Sequence, residues 1–185
     1  MKEYEVLLSE KAKIQAFLDK YLTNETDIVL TGAGTSAFIG DAIAPLLRGV
    51  WRNVRAVATT DIVTNAADYL AADKPLLLIS FARSGNSPES VAAVNLANAI
   101  CKNVAHIYIT CNKNGHLAQS ANAENILSLL LPEETDDKSL AMTSSFSTML
   151  LTCLMISQID HIEAERERIE AVAANAQAIL SDYAG

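Results

Sequence analysis

Apolar residues fall into two rhythms along this chain. Short, nearly unbroken apolar runs recur at 27–30, 54–58, 75–81, 104–110 and 126–131. Between them lie stretches in which apolar positions return every three or four residues: 37–49 (through Phe38, Ile43, Leu46 and Leu47), 61–70, 88–101, 115–121, 140–159 and 161–182. An opening stretch of the same kind, 3–22, sets Val6, Leu7, Ile14, Phe17, Leu18 and Tyr21 on one stripe. Unbroken runs of this length suit strands buried on both faces, and the three-to-four period suits helices with one apolar side. Pro88 fits the first turn of its helix, where a missing N–H loses no partner. Strand and helix alternate from 27 onward, which predicts helices on both faces of a parallel sheet. The expected fold class is α/β: a three-layer α/β/α sandwich around a five-stranded, parallel, doubly wound sheet. No repeat or Pro/Gly linker interrupts it. One domain is therefore expected over 1–185, with an N-terminal helix in 1–26, an α/β core in 27–160 and a C-terminal helix in 161–185.

Composition narrows the class of partner. The net charge is −8 in 185 residues. That disfavours nucleic acid and anionic membranes, whose phosphates call for clustered Lys and Arg. A single phosphate on a small molecule is different, because backbone N–H groups and hydroxyls can hold it whatever the global charge. No apolar run reaches bilayer length, and 1–9 carries charges rather than a signal-peptide core. The three cysteines, Cys101, Cys111 and Cys153, lack metal spacing and read as reduced, buried thiols. A cytoplasmic protein without metal or cofactor is expected.

In doubly wound sheets ligands bind beyond the carboxyl ends of the strands, and two strand-to-helix loops there are polar. The first reads Thr31-Gly32-Ala33-Gly34-Thr35-Ser36. Gly34 allows close backbone approach, and Thr35 and Ser36 stand where a helix begins, a place that favours an anion. Ordinary N-capping by these hydroxyls is the alternative. The second reads Ala82-Arg83-Ser84-Gly85-Asn86-Ser87-Pro88. Ser84 and Ser87 supply hydroxyls, and Arg83 could pair with a phosphate or sugar oxygen. Capping by Ser87 with a solvated Arg83 is the alternative there. Together the loops predict a crevice rich in donors and poor in aromatic walls, better suited to a sugar phosphate than to a flat heterocycle. A third segment, 141–148, opens a later helix, and its hydroxyls, Thr143 and Ser144 among them, could close the site; capping of that helix by Thr143 or Ser144 is the alternative.

Proton-transfer chemistry on a ligand held in such a crevice would need a positioned base. The candidates are few: Glu89 in a helix first turn, His116 beyond the fourth strand, and the acidic loop with Glu133, Glu134, Asp136 and Asp137. Each also reads as a solvated charge or cap. His106, inside a strand, reads as a core or edge residue, and His161 as the start of a solvated helix. A rival assignment takes Gly32 to Ala37 as the GxGxxA form of a dinucleotide fingerprint. Its acidic partner would be Asp61, which lies too far along the chain, and the second loop is left unexplained.

The strings TGAGTS, SFARSGNSPES and AMTSSFS resemble the signature stretches of the sugar isomerase (SIS) family. The longer strings TGAGTSAFIGD, TTDIVTN and LLLISFARSGNSPESVAAVNLAN are most similar to the tagatose-6-phosphate ketose/aldose isomerase branch, also described as galactosamine-6-phosphate deaminase/isomerase. The resemblance runs from Ile28 to about Thr152 and matches the first of that branch's two SIS domains. It implies a flavodoxin-like strand order and a hexose or amino-hexose 6-phosphate ligand. By the same match Thr35 and Ser36 would meet the sugar, and Ser84 and Ser87 the phosphate, with Gly34, Arg83, Gly85 and Asn86 beside them. Arg83 stands where the family has Gln, and Ala82 where it has Ser. The second domain's RHGP-like Glu/His stretch has no counterpart here. The resemblance therefore implies an isolated first domain that pairs with a second SIS domain or another copy, and that binds substrate but turns it over poorly. A non-catalytic sugar-phosphate sensor is the remaining alternative.

Overall fold

A computed structural model describes residues 1–138 and 140–183. Five strands form one sheet: β1 (Asp27–Gly32), β2 (Val54–Ala56), β3 (Leu76–Phe81), β4 (Val104–Thr110) and β5 (Ile126–Leu130). Their order is β2-β1-β3-β4-β5, and every pairing is parallel. This is the doubly wound order expected, with its switch point between β1 and β3. Leu30, Ile79, Ile107 and Leu127 face one another across four strands.

Because side chains alternate along a strand, the sheet buries two separate cores. One face carries Ile28, Leu30, Leu77, Ile79, Phe81, Ile107 and Ile109. It packs under α1 (Lys2–Ser9), α2 (Lys11–Tyr21), α3 (Ala37–Leu47) and, further along the chain, the helix Thr143–Ser157. The other face carries Val29, Leu76, Leu78 and Tyr108 under α4 (Thr59–Thr64), α5 (Ala66–Tyr69), α6 (Pro88–Ile100) and α7 (His116–Gln119). The remaining helices are α8 (Thr143–Ser157) and α9 (Arg166–Tyr183), joined by a 3₁₀ stretch, Ile159–Glu165.

Several boundaries differ from the sequence pattern. The single helix expected at 3–22 is two, because Glu10 takes a non-helical conformation (φ −97°, ψ 5°) between them. Tyr4 and Leu7 are buried, while Val6 is exposed. In α3 the inward stripe is Ile39, Ile43, Ala44 and Leu47, whereas Phe38 and Leu46 are exposed. The helix expected from 140 starts at Thr143, and that expected from 161 becomes α9 only at Arg166. Residues 184 and 185, the end of the segment assigned to that last helix, lie outside the described residues. His106 is fully buried on an interior strand, and His161 is exposed. Among the described residues no helix is long and apolar enough to cross a membrane.

Candidate functional site

Above the carboxyl ends of β1 and β3 lies a cleft of about 230 Å³. Three segments wall it. Gly34, Thr35 and Ser36 form a 3₁₀ turn that leads into α3. Arg83, Ser84, Ser87 and Ser90 come from the loop after β3 and the first turn of α6, and Met142, Ser145, Phe146 and Met149 from the start of α8. The two glycines that the sequence singled out turn the chain at matched points, Gly34 with φ +57° and Gly85 with φ +66°. Side chains rarely adopt that region, so both loops need glycine there to present their hydroxyls.

The hydroxyls are largely unspent. Ser36 and Ser87 occupy the N-cap positions of α3 and α6, yet neither makes a side-chain cap hydrogen bond. The capping alternative for Ser87 is thereby removed. Among the described residues no hydrogen bond engages the side chains of Thr35 or Ser90 either, and Ser84 Oγ only accepts the Asn86 N–H at 3.3 Å. The first N–H groups of α6 lack intrahelical partners, as at any helix start. Their partial positive charge and the neighbouring hydroxyls favour an anion.

The β3–α6 loop is clamped from the far side by the segment after β4. Asn112 Nδ2 donates to Ser84 O at 2.9 Å, Cys111 N to Arg83 O at 3.1 Å, and Leu117 N to Gly85 O at 3.2 Å. Asn86 Oδ1 accepts the His116 N–H at 2.8 Å. Gly115 allows this approach, because a Cβ there would lie 2.3 Å from Ser84 O. Gly85 and Asn86 thus fix the shape of the loop and do not line the cleft.

Other expected residues sit elsewhere. Thr143 and Ser144 are exposed and turn away. The cleft instead takes 142, 145, 146 and 149, which share one helical face by their spacing. Nor do Thr143 and Ser144 cap α8. The Asp137 carboxylate does so, accepting the N–H of Ser144 at 3.3 Å and of Ser145 at 2.7 Å. That contact with Ser145 holds the Asp137 carboxyl below the usual range. Arg83 is the one charged residue among those lining the cleft, and its Nη1 is held within the protein by Asp136 Oδ1 (3.0 Å) and Asp137 O (3.1 Å). Of the remaining acids in this loop, Glu134 pairs with Lys2. Glu89 and His116 are exposed and outside the lining. Asp61 is exposed on α4 rather than at the end of β2. The lining therefore offers hydroxyls, one guanidinium and apolar surface, with no carboxylate or imidazole among the described residues. No cluster of His, Cys, Asp and Glu among them could hold a metal ion.

Met149 lies outside the candidate site segments read from the sequence, whereas Ser90, Met142, Ser145 and Phe146 lie within them without being named as site residues. Ser90 follows Ser87 by one helical turn, a spacing that could have flagged it.

Named proteins are similar to this chain in sequence and in fold. The chain is 51% identical over 174 residues to the D-galactosamine-6-phosphate deaminase AgaS of Escherichia coli, covering 92% of this chain and 45% of that protein. It is 52% identical over 168 residues to the protein of that name from Escherichia coli O157:H7, covering 89% and 43%. The crystal structure of tagatose-6-phosphate ketose/aldose isomerase from Escherichia coli matches with a TM-score of 0.90 at 47% identity, over 98% of this chain and 50% of that one. The chain thus spans about half the length of these relatives. Its residues 21–158 match the SIS domain, and the chain belongs to the SIS domain family.

Proposed function

We propose that the cleft binds a hexose 6-phosphate, and that the chain is the sugar-phosphate-binding part of a ketose/aldose isomerase or amino-sugar-phosphate deaminase. Tagatose 6-phosphate and galactosamine 6-phosphate are the ligands that the names of the relatives support. The observation that carries this reading is the ring of unspent hydroxyls on Thr35, Ser36, Ser87 and Ser90 at two helix starts. The phosphate goes to Ser84, Ser87 and the N–H groups of α6. The sugar lies toward Thr35 and Ser36, with Gly34 giving its backbone room. Titration calorimetry tests the assignment. Galactosamine 6-phosphate or tagatose 6-phosphate should bind, galactosamine should bind at least about a hundredfold more weakly, and NAD should not bind. Binding of NAD without binding of either sugar phosphate would reverse it.

The isomerisation takes a proton from one of C1 and C2 and returns it to the other, through an enediol, or an enolamine for an amino sugar. A carboxylate or imidazole would serve as base, and the described lining has neither. We therefore assign the proton-transfer group to a partner, either a second SIS domain or another copy of this chain. The partner's seat is the apolar groove between α3, α8 and α9, lined by Leu46, Leu154 and Val172 among others. A non-catalytic binding module is the second reading, favoured by the same lining. Loss of the C2 proton of galactosamine 6-phosphate in D₂O, followed by NMR, separates the two. Slow or no exchange is expected of this chain alone, and exchange at ordinary enzyme rates abolished by His116→Ala would place the base within it. The three buried cysteines, unpaired here, support a reducing, cytoplasmic setting.

A further inference from the structure

Two of the three segments that wall the cleft lie about fifty residues apart in the chain, and one side chain spans them. Arg83 lies in the loop that carries Ser84 and Ser87. Its Nη1 reaches across to Asp136 Oδ1 and Asp137 O, and the Asp137 carboxylate holds the Ser144 and Ser145 N–H groups. The path from the β3 loop to the first turn of α8 is thus continuous: guanidinium, acidic pair, helix start. Met142, Ser145, Phe146 and Met149, the opposite wall, hang on that turn. The side chains of Arg83 and Asp136 keep about a third of their surface in solvent (29% and 37%), so the pair adds little to global stability. Its consequence is positional. A planar guanidinium holding a carboxylate and a carbonyl through one nitrogen fixes direction in a way that a lysine ammonium does not. Among the described residues Nε and Nη2 take no hydrogen bond, so a direct role toward an anion is the competing assignment.

We propose that Arg83 is a positioning residue, tying the start of α8 to the β3–α6 loop through Asp136 and Asp137 so that the two cleft walls keep the spacing a hexose 6-phosphate needs. This rests on the reading of the cleft given above. Asp136 does not line the cleft, which makes it the discriminating position. Galactosamine 6-phosphate affinity is measured for Asp136→Ala, Arg83→Met and the double variant, alongside amide hydrogen exchange in the full chain. Both single variants should weaken binding about three- to tenfold, and the double variant should be no weaker than Arg83→Met, as for residues acting through one contact. Exchange of the Ser144 and Ser145 amides should speed up in both single variants, while the amides of α6 stay unchanged. Undiminished affinity in Asp136→Ala, with affinity lost in Arg83→Met, would show Arg83 reading the ligand directly and overturn the proposal. Unchanged exchange at Ser144 and Ser145 would overturn it as well. If the wild-type chain bound no hexose phosphate, the functional reading would fall, and the exchange result alone would decide the tether.

Discussion

Two hollows among the described residues differ in size and in chemistry, in opposite directions. The groove between α3, α8 and α9 is the larger, about 710 Å³, and its walls are mostly aliphatic: Leu46, Val50, Leu151, Leu154, Val172 and Ala173. The cleft above β1 and β3 is about a third of that volume, yet it gathers the unspent hydroxyls and two helix starts. Volume measures how much apolar surface could be covered, whereas the orientation of donors decides which small polar ligand can be recognised. The groove suits another folded surface, and the cleft a phosphorylated sugar. One helix belongs to both: α8 gives its first turns to the cleft and Leu151, Leu154 and Met155 to the groove.

The sharpest way to break this division is to strip donors from the cleft alone. Ser84→Ala with Ser87→Ala removes two hydrogen bonds to a charged group, each worth about 1.5–3 kcal/mol. Affinity for galactosamine 6-phosphate should fall about 10²- to 10⁴-fold, with the melting temperature nearly unchanged. Calorimetry on the double variant checks this, and equal affinity would remove the phosphate from that loop.

A smaller effect comes from the point on α8 between the two hollows. Glu3 is buried there; its Oε1 accepts the Thr152 hydroxyl at 2.9 Å, and its Oε2 has no partner among the described residues. Burial raises its pKa from the ordinary 4.5 to about 7. The folded chain then keeps a proton that the unfolded chain has lost, so this contribution to stability is whole below pH 4.5 and fades as pH rises through 7. On the opposite face His106, bonded through Nε2 to Asn98 Oδ1, is lowered by burial from 6.5 to about 4. Its contribution is present above pH 6.5 and is lost as pH falls through 4, so the two slopes oppose each other in wild type. The difference between Glu3→Gln and wild type isolates the first. In urea unfolding the variant should gain stability relative to wild type between pH 4.5 and 7, by up to about 3 kcal/mol, and stay level above. A difference independent of pH would mean that the carboxylate is not held as described.

The weakest effect is expected in the groove of the isolated chain. Val172, exposed on α9, should tolerate Val172→Asp within about 0.5 kcal/mol. Sedimentation should nevertheless show lost pairing with a second copy or a second SIS domain, and galactosamine 6-phosphate binding in the cleft should be untouched. Intact pairing would take the groove out of the interface.

What the sequence could show follows from how local each signal is. An apolar run such as 104–110 needs no partner to be read, and β4 occupies those residues. The two glycine-bearing loops were equally legible, because positive φ and helix starts leave marks within a few residues. The strand order came from the resemblance, since parallel strands carry no local mark of their neighbours. Non-local facts stayed hidden. The α8 cap is Asp137, several residues before the helix, where the local reading expected Thr143 or Ser144. Arg83 looked solvated or ligand-bound because Asp136 lies far along the chain. The burial of Glu3 left no local mark, because it depends on α8 packing over α1. The break at Glu10 was invisible for a related reason: apolar positions continue on both sides of it, and only its backbone angles depart from the helix.

The central claim concerns where a hexose 6-phosphate sits, and amide chemical shifts of the ¹⁵N-labelled chain titrated with galactosamine 6-phosphate report that directly. Saturable shifts should concentrate at Gly34, Thr35, Ser36, Ser84, Ser87 and Ser90, leave Leu154 and Val172 still, and vanish when galactosamine replaces the phosphate ester. Shifts centred on the groove, or equal shifts with the unphosphorylated sugar, would contradict the assignment of the cleft.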